Sequence, residues 1–467
     1  MSFRQRPIRP VMCLRPPNEI MFDESFWDEL TDAGITEIAL QWLCILDDQG
    51  PDKGNIYPQP EDSHPRGLAV MGGERKMRVP AAAFAPTPEF YEGLSWQPPT
   101  MPEHLSDQAE QLSAAIEIGH SKGFSIYVVD DKSYFLIGGF GSGTLDAKRS
   151  SPSFTDPDMP AMTVARARDT VKHFPKLTGL LLDGPDFKWE IKPGHRDDLW
   201  SELIDTSENR VFTESIGMDF QAVLDGREYF KDFLQSFDSD QARTFISDAL
   251  GALANHDWWR ENPNFSTWYS FKQSSVEWNV SSSYNGIKQH LPKIQVGNSS
   301  RLPFVEPITG HNARRKQLYI DFQQPKQYWW SGGVAGFRGT IVNWVDTLVE
   351  WNQDLDAELA SELFGAMFDY PMPIDYPVSD YKNEATNDWF TTSVRDQTSK
   401  MIERSGGVDR YMPWVGLEHF GSNWLTPYEL DRLLAEMQAQ GATRYCYFIY
   451  NSMKPDIWAV IKRYSRD

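Results

Sequence analysis

Residues 177–191 read LTGLLLDGPDFKWEI. The first six residues are mostly apolar and have the length of a strand buried on both faces, the pattern of a parallel sheet covered by helices. The run stops at Asp183. Gly184 and Pro185 break it, and Asp186 and Glu190 follow within a few residues. A carboxylate is costly to desolvate unless it is paired or used. A strand that delivers one at its C-terminal end points to a fold in which that end is the working face.

The same alternation extends in both directions. Toward the N-terminus, PVMCLRPP (10–17), ITEIALQWL (35–43) and FSIYVVDD (124–131) read as strands. Toward the C-terminus, strands are expected within KIQVGNSSRLPF (293–304), QLYIDFQQPKQYWW (317–330), DRYMPWVGLEHF (409–420) and TRYCYFIYN (443–451). Helical spacing separates them in DESFWDELTDAG (23–34), PEHLSDQAEQLSAAIEIGHSKG (102–123) and MPAMTVARARDTVKHFP (159–175). It returns in FRGTIVNWVDTLVEWN (337–352), TPYELDRLLAEMQAQGA (426–442) and KPDIWAVIKRY (454–464). Gly34 is a normal helix stop, and Thr426 with Pro427 behind it is a normal helix start. Residues 197–290 are acidic and largely helical in pattern.

Eight strands, each followed by helical material, predict an α/β chain folded as a (β/α)8 TIM barrel. Residues 1–467 are expected to form a single catalytic barrel, with long βα-loop insertions at about 47–102 and 197–265. In this fold the βα loops lie on the C-terminal face, which holds the active site. Asp183 should therefore point into the barrel mouth.

Composition narrows the function. A net charge of −21 argues against nucleic acid, whose phosphates need cation clusters. No run of 18 apolar residues occurs, so no membrane span is expected, and the N-terminus lacks the apolar core of a signal peptide. A cytoplasmic location is the expectation. Cys13, Cys44 and Cys446 sit in apolar runs without a CxxC pair and read as reduced core residues. No HxH or HExxH motif is present, so neither a metal site nor a cofactor is expected. Aromatic residues make up 13% of the chain, which suits the apolar C–H faces of sugars as well as core packing.

Several blocks carry a family resemblance: LTDAGITEIALQ, AIEIGHSKGFSIYVVD, HFPKLTGLLLDGPD, DFQQPKQYWWSGGVAGFRGT and LTPYELDRLLAEMQAQGATRYCYFIY. Together they resemble glycoside hydrolase-like TIM barrels, including the hypothetical glycosyl hydrolase group. LLLDG is similar to the fourth strand of α-L-fucosidase-like and α-galactosidase-like barrels, where the nucleophilic Asp ends the strand. The resemblance implies that Asp183 is the nucleophile here. The sequence departs from the fucosidases at Leu182, which stands where they carry an aromatic residue.

Glycoside hydrolysis uses two carboxyl groups flanking one bond, about 5–5.5 Å apart for retention and about 6.5–9.5 Å for inversion. Asp183 is the first candidate, and a retaining mechanism is expected. Glu418, in WVGLEHF, is expected across the mouth, and Glu190 and Asp186 follow strand four; any of the three can supply the second group. Asp131, Arg301, Lys326, Tyr328, Trp329 and Trp42 are candidates for substrate binding, and Lys326 is expected near Asp183. The substrate partner is a carbohydrate, a small oligosaccharide or glycoside; oligomeric state is left open. Two other readings remain at this stage. His195, His311 and His419 lie near strand ends and keep a metal-dependent sugar isomerase or lyase in view. A carbohydrate-binding barrel without activity is the third.

Overall fold

The computed structural model describes residues 8–14, 18–41, 43–47, 79–94, 98, 100–131, 153–191, 196–200, 205–248, 263–331, 336–418, 425–450 and 453–466. Trp42, His195 and His419 lie outside the described residues, as does much of the 47–102 insertion.

Ten strands are seen among the described residues: β1 (Arg9–Leu14), β2 (Glu37–Leu40), β3 (Cys44–Asp47), β4 (Val79–Ala82), β5 (Ser125–Asp131), β6 (Gly179–Asp183), β7 (Gln295–Ser300), β8 (Phe322–Gln327), β9 (Trp414–Gly416) and β10 (Arg444–Phe448). Eight of them close a parallel barrel in the order β1-β10-β9-β8-β7-β6-β5-β2. Neighbours in the ring are also neighbours in sequence, β3 and β4 aside, so each return runs through a helix outside the barrel. β3 and β4 pair antiparallel, with Cys44 opposite Ala82 and Asp47 opposite Val79, and begin and end part of the first insertion.

The eight expected strands are the eight barrel strands, with shifted ends. The seventh is the most reduced. DRYMPWVGLEHF contributes three residues to β9, because residues 408–410 form a 3-10 turn and Pro413 has no N–H to offer a ladder. The Thr426 start appears as a full capping box: Thr426 and Glu429 satisfy each other's backbone N–H. Gly34, at φ +81, follows the helix Glu24–Asp32 in the left-handed conformation that glycine adopts without strain.

Side chains alternate across a strand, so one parity of each barrel strand faces inward. At the N-terminal end the inward set is a polar plug. The Arg444 guanidinium pairs with Glu37, its Nε donating to Oε2 at 3.1 Å, and its Nη2 donates to the Tyr127 hydroxyl at 2.8 Å. Tyr127 donates onward to Gln295 Oε1 at 3.0 Å, and Arg9 reaches the other Glu37 oxygen at 2.7 Å. Aromatic rings flank the guanidinium, Phe322 at 4.8 Å and Tyr127 at 5.2 Å. The charges are thereby paired and hydrogen-bonded, the condition for burying them.

Outside the barrel, the helix Pro263–His290 runs against Phe220–Leu234 and Asp158–His173. Its contact with Phe220–Leu234 is aromatic: Trp268 stacks on Phe230 at 5.3 Å, and Phe265 meets the same ring edge-on at 5.6 Å. The first insertion is tied down by Asp169, whose two oxygens accept from the Thr87 amide, the Thr87 hydroxyl and the Tyr91 hydroxyl. No helix of the described residues is long and apolar enough to cross a membrane.

Candidate active site

Asp183 is the last residue of β6, and its inward parity carries the carboxylate to the C-terminal mouth. Oδ1 accepts from the Lys326 ammonium at 2.8 Å and from the Ser299 hydroxyl at 2.5 Å. Lys326 comes from β8 and Ser299 from β7, so consecutive strands converge on one oxygen. No described residue donates to Oδ2, and the side chain keeps 14% of its surface exposed. The carboxylate is fixed through one oxygen and presents the other.

Asp186 stands three residues on. Arg301, just beyond β7, donates from Nε to Asp186 Oδ2 at 2.6 Å. Burial works to raise the Asp186 pKa, but the charges of Arg301 and Lys326 outweigh it and hold the carboxyl below its ordinary value. Burial likewise opposes the Arg301 cation, while Asp186 and Glu190, with Asp183 further off, push its pKa up. Arg301 also lies 5.4 Å over the Trp189 ring. Asp186 is thus held as an anion in an ion pair, a poor proton donor. Glu190 faces the same guanidinium.

Glu418 lies two residues beyond β9 and is 2% exposed. β9 is three places from β6 in the ring, which puts Glu418 on the far side of the mouth from Asp183. Beyond β8, Tyr328 stacks on Trp330 at 4.6 Å and on Phe448 of β10 at 5.5 Å. Gly416 makes room for this wall. A Cβ there sits 2.0 Å from Trp330 Cζ3 and 2.6 Å from Tyr328 Cδ1, closer than any real contact. Gly416→Ala is expected to lower stability by about 1–3 kcal/mol, as overpacked sites do, read as a lower denaturant midpoint at unchanged slope.

Other expectations are placed differently. Trp329, expected as a sugar platform, is fully buried. It has the opposite parity from Tyr328 and turns outward, where its indole N–H donates to Gln327 Oε1 at 2.6 Å and its rings pack on Phe337 and Trp389. It is core rather than substrate contact. Asp131 pairs with Asp183 in register, but its side chain lies outside the described residues. Asp130 faces outward to Arg166 at 3.1 Å.

His311 does not read as a metal ligand. Its Nδ1 accepts from the Lys316 ammonium at 2.9 Å, which occupies the lone pair with a cation. Burial, followed by the charges of Lys316 and Arg301, drives the imidazole well below its ordinary pKa, so it is neutral. Among the described residues no group of three His, Cys, Asp or Glu is placed to hold a metal ion.

Sequence reading missed three residues here: Asn298, Ser299 and Lys316. Asn298, Ser299 and Ser300 are consecutive polar residues in the buried part of β7, a signal that was available.

No protein-family model matches the chain, and no curated protein matches it. Solved structures similar to it include the PgaB (BpsB) glycoside hydrolase domain from Bordetella bronchiseptica, 13% identical, covering 97% of this chain and 98% of that one, TM-score 0.47. The β-amylase catalytic domain from Paenibacillus polymyxa is 9% identical over 98% of this chain and 97% of that one, TM-score 0.44. A chitinase from Chromobacterium violaceum is 9% identical over 98% and 99%, TM-score 0.37. Likeness of this degree assigns neither substrate nor residue roles.

Proposed function

We propose that the chain is a glycoside hydrolase that cleaves a small oligosaccharide or glycoside with two carboxyl groups. The observation that supports this best is Asp183: one oxygen pinned by Lys326 and Ser299, the other without a donor among the described residues. Such a group can attack an anomeric carbon or stabilise the cationic charge that develops there. A retaining course, with Asp183 as nucleophile, is the form of the reaction we favour.

Glu418 is the proton donor in this reading. Asp186 is committed to Arg301, and Glu190 lies under the same cation. Glu418 follows β9, three strands round the ring from β6 and Asp183. Tyr328, buried in a stack with Trp330 and Phe448, backs the mouth from β8 to β10.

Chromogenic α- and β-glycosides, uronides included, test the activity. Hydrolysis of none of them, by folded protein, counts against the proposal. The donor role has its own signature. Glu418→Gln is expected to lose about 10²-fold in rate on substrates whose leaving group needs a proton, the usual scale of acid catalysis. On activated nitrophenyl glycosides, whose leaving group needs none, the loss should nearly vanish. Equal losses on both substrate types would remove Glu418 from the role and turn attention to Glu190.

A further inference from the structure

Side chains of β7 bond the main chain on either side of Asp183. Asn298 Nδ2 donates to the Leu182 carbonyl at 2.8 Å and to the Gly184 carbonyl at 2.9 Å. The Gly184 N–H donates to Ser299 Oγ at 3.0 Å, the same hydroxyl that donates to Asp183. Two adjacent side chains of β7 therefore extend the β6–β7 edge past Leu182, where its strand pairing stops.

The amide of Asn298 is itself locked. Both of its N–H groups are used on the two carbonyls, and its Oδ1 accepts from Lys316 Nζ at 2.8 Å. Only one orientation of the amide makes all three bonds. Lys316 also donates to His311 Nδ1, which requires that nitrogen to be an acceptor and places the imidazole proton on Nε2. All three side chains are buried.

We propose that Asn298, oriented by Lys316 and His311, is a positioning residue that sets the Asp183 carboxylate and the loop carrying Asp186 at the barrel mouth. The proposal rests on the reading of Asp183 as the reacting carboxylate. Asn298 acts on Leu182 and Gly184 and does not touch substrate.

Lys316 is also a charge in this site. Burial lowers its pKa to about 8, against the opposing pull of Glu306 and Asp186. The charged and titratable groups facing the cluster are Glu306 from the turn after β7, Asp186 from the loop after β6, and Arg301 and Lys326 on the His311 side. The ammonium helps hold Asp186 ionised. Above its pKa the hydrogen bonds of a neutral amine can persist, but that charge is gone.

The test combines kinetics with hydrogen exchange. In Lys316→Met the donor is removed at nearly constant volume; in Lys316→Gln a donor N–H is kept without the charge. Lys316→Met and Asn298→Leu are expected to lose about 10²-fold in kcat with KM nearly unchanged, as a misplaced catalytic group does. Lys316→Gln should recover much of the rate at neutral pH and lose any alkaline limb near pH 8. In parallel, exchange of the segment 182–187 should accelerate at least several-fold in Lys316→Met and Asn298→Leu, while β10 stays protected. The exchange arm needs no substrate, so it reads the clamp even if no glycoside is hydrolysed, a result that would count against the glycosidase proposal alone. Unchanged exchange at 182–187 in Lys316→Met, or a folded Lys316→Met with unaltered kcat, overturns the positioning role. Should Asn298→Leu fail to fold, the Met and Gln variants of Lys316 decide.

Discussion

Asp183→Asn is expected to fold with a melting temperature close to that of the parent and to lose about 10³-fold or more in kcat, about 4 kcal/mol of transition-state stabilisation. The fold should hold because the substitution is nearly isosteric. An amide oxygen can still accept from Lys326 and Ser299, which both approach one side of the group. The chemistry should fail because the replacement atom at the open side is an N–H2. It can neither attack an anomeric carbon nor offset the positive charge of an oxocarbenium-like transition state. No group other than the Asp183 carboxyl is changed, so KM should move little. Azide, a small anion, can take the space beside the amide. If rate returns with azide and the product has inverted anomeric form, Asp183 is the nucleophile. A folded mutant with full activity on a substrate of the parent would remove Asp183 from the mechanism. If the residue were only a cap on the following loop, the change would instead appear as about 1 kcal/mol of stability with activity near normal.

The second large effect lies at the opposite end of the barrel. Glu37→Gln should destabilise the protein by about 3–5 kcal/mol, because it leaves the buried Arg444 cation without its carboxylate. Arg444 is boxed in by Tyr127 and Phe322, and neither ring can neutralise it. Arg9, half exposed, adds further positive charge on the other side of Glu37. Urea denaturation of Glu37→Leu, Arg444→Met and the double mutant completes a cycle. The double mutant should recover much of the loss, since removing both charges leaves no ion to desolvate. Near-additive losses would mean that each residue is held by other contacts. Activity measured well below the melting temperature should survive, since the plug and Asp183 occupy opposite ends of the strands.

Legibility from sequence followed the range of the forces involved. The eight strands could be read because a strand buried on both faces is a local apolar run, and the helices between them carry local periodicity. The place of Asp183 was legible for the same reason: a carboxylate at the end of such a run stands out within a few residues. Helices Ala357–Phe368 and Arg395–Arg404 were not read, although the first packs on the helices Phe337–Trp351 and Ser239–Asp248 and the second on Pro427–Ala439. The second has almost no apolar stripe of its own and is helical through packing, with Met401 fully buried.

The sequence by itself determined the barrel and the end of it that carries the acidic groups, because strand and helix periods are properties of neighbouring residues. Only the tertiary structure decided what each group does there. Ser299 meets Asp183 across 116 positions of chain, and Arg301 meets Asp186 across 115. Those pairings separate an open carboxylate from one tied into an ion pair, though both are simply Asp in LLLDGPD. Trp329 shows the same limit: in QYWW its neighbours are aromatic on both sides, and strand parity at the barrel rim alone sends it into the core while Tyr328 and Trp330 stack together. Composition and spacing fix which side chains the chain owns. Closure of the sheet into a ring brings strand ends together, and the fields of the groups that meet there set charge, orientation and role.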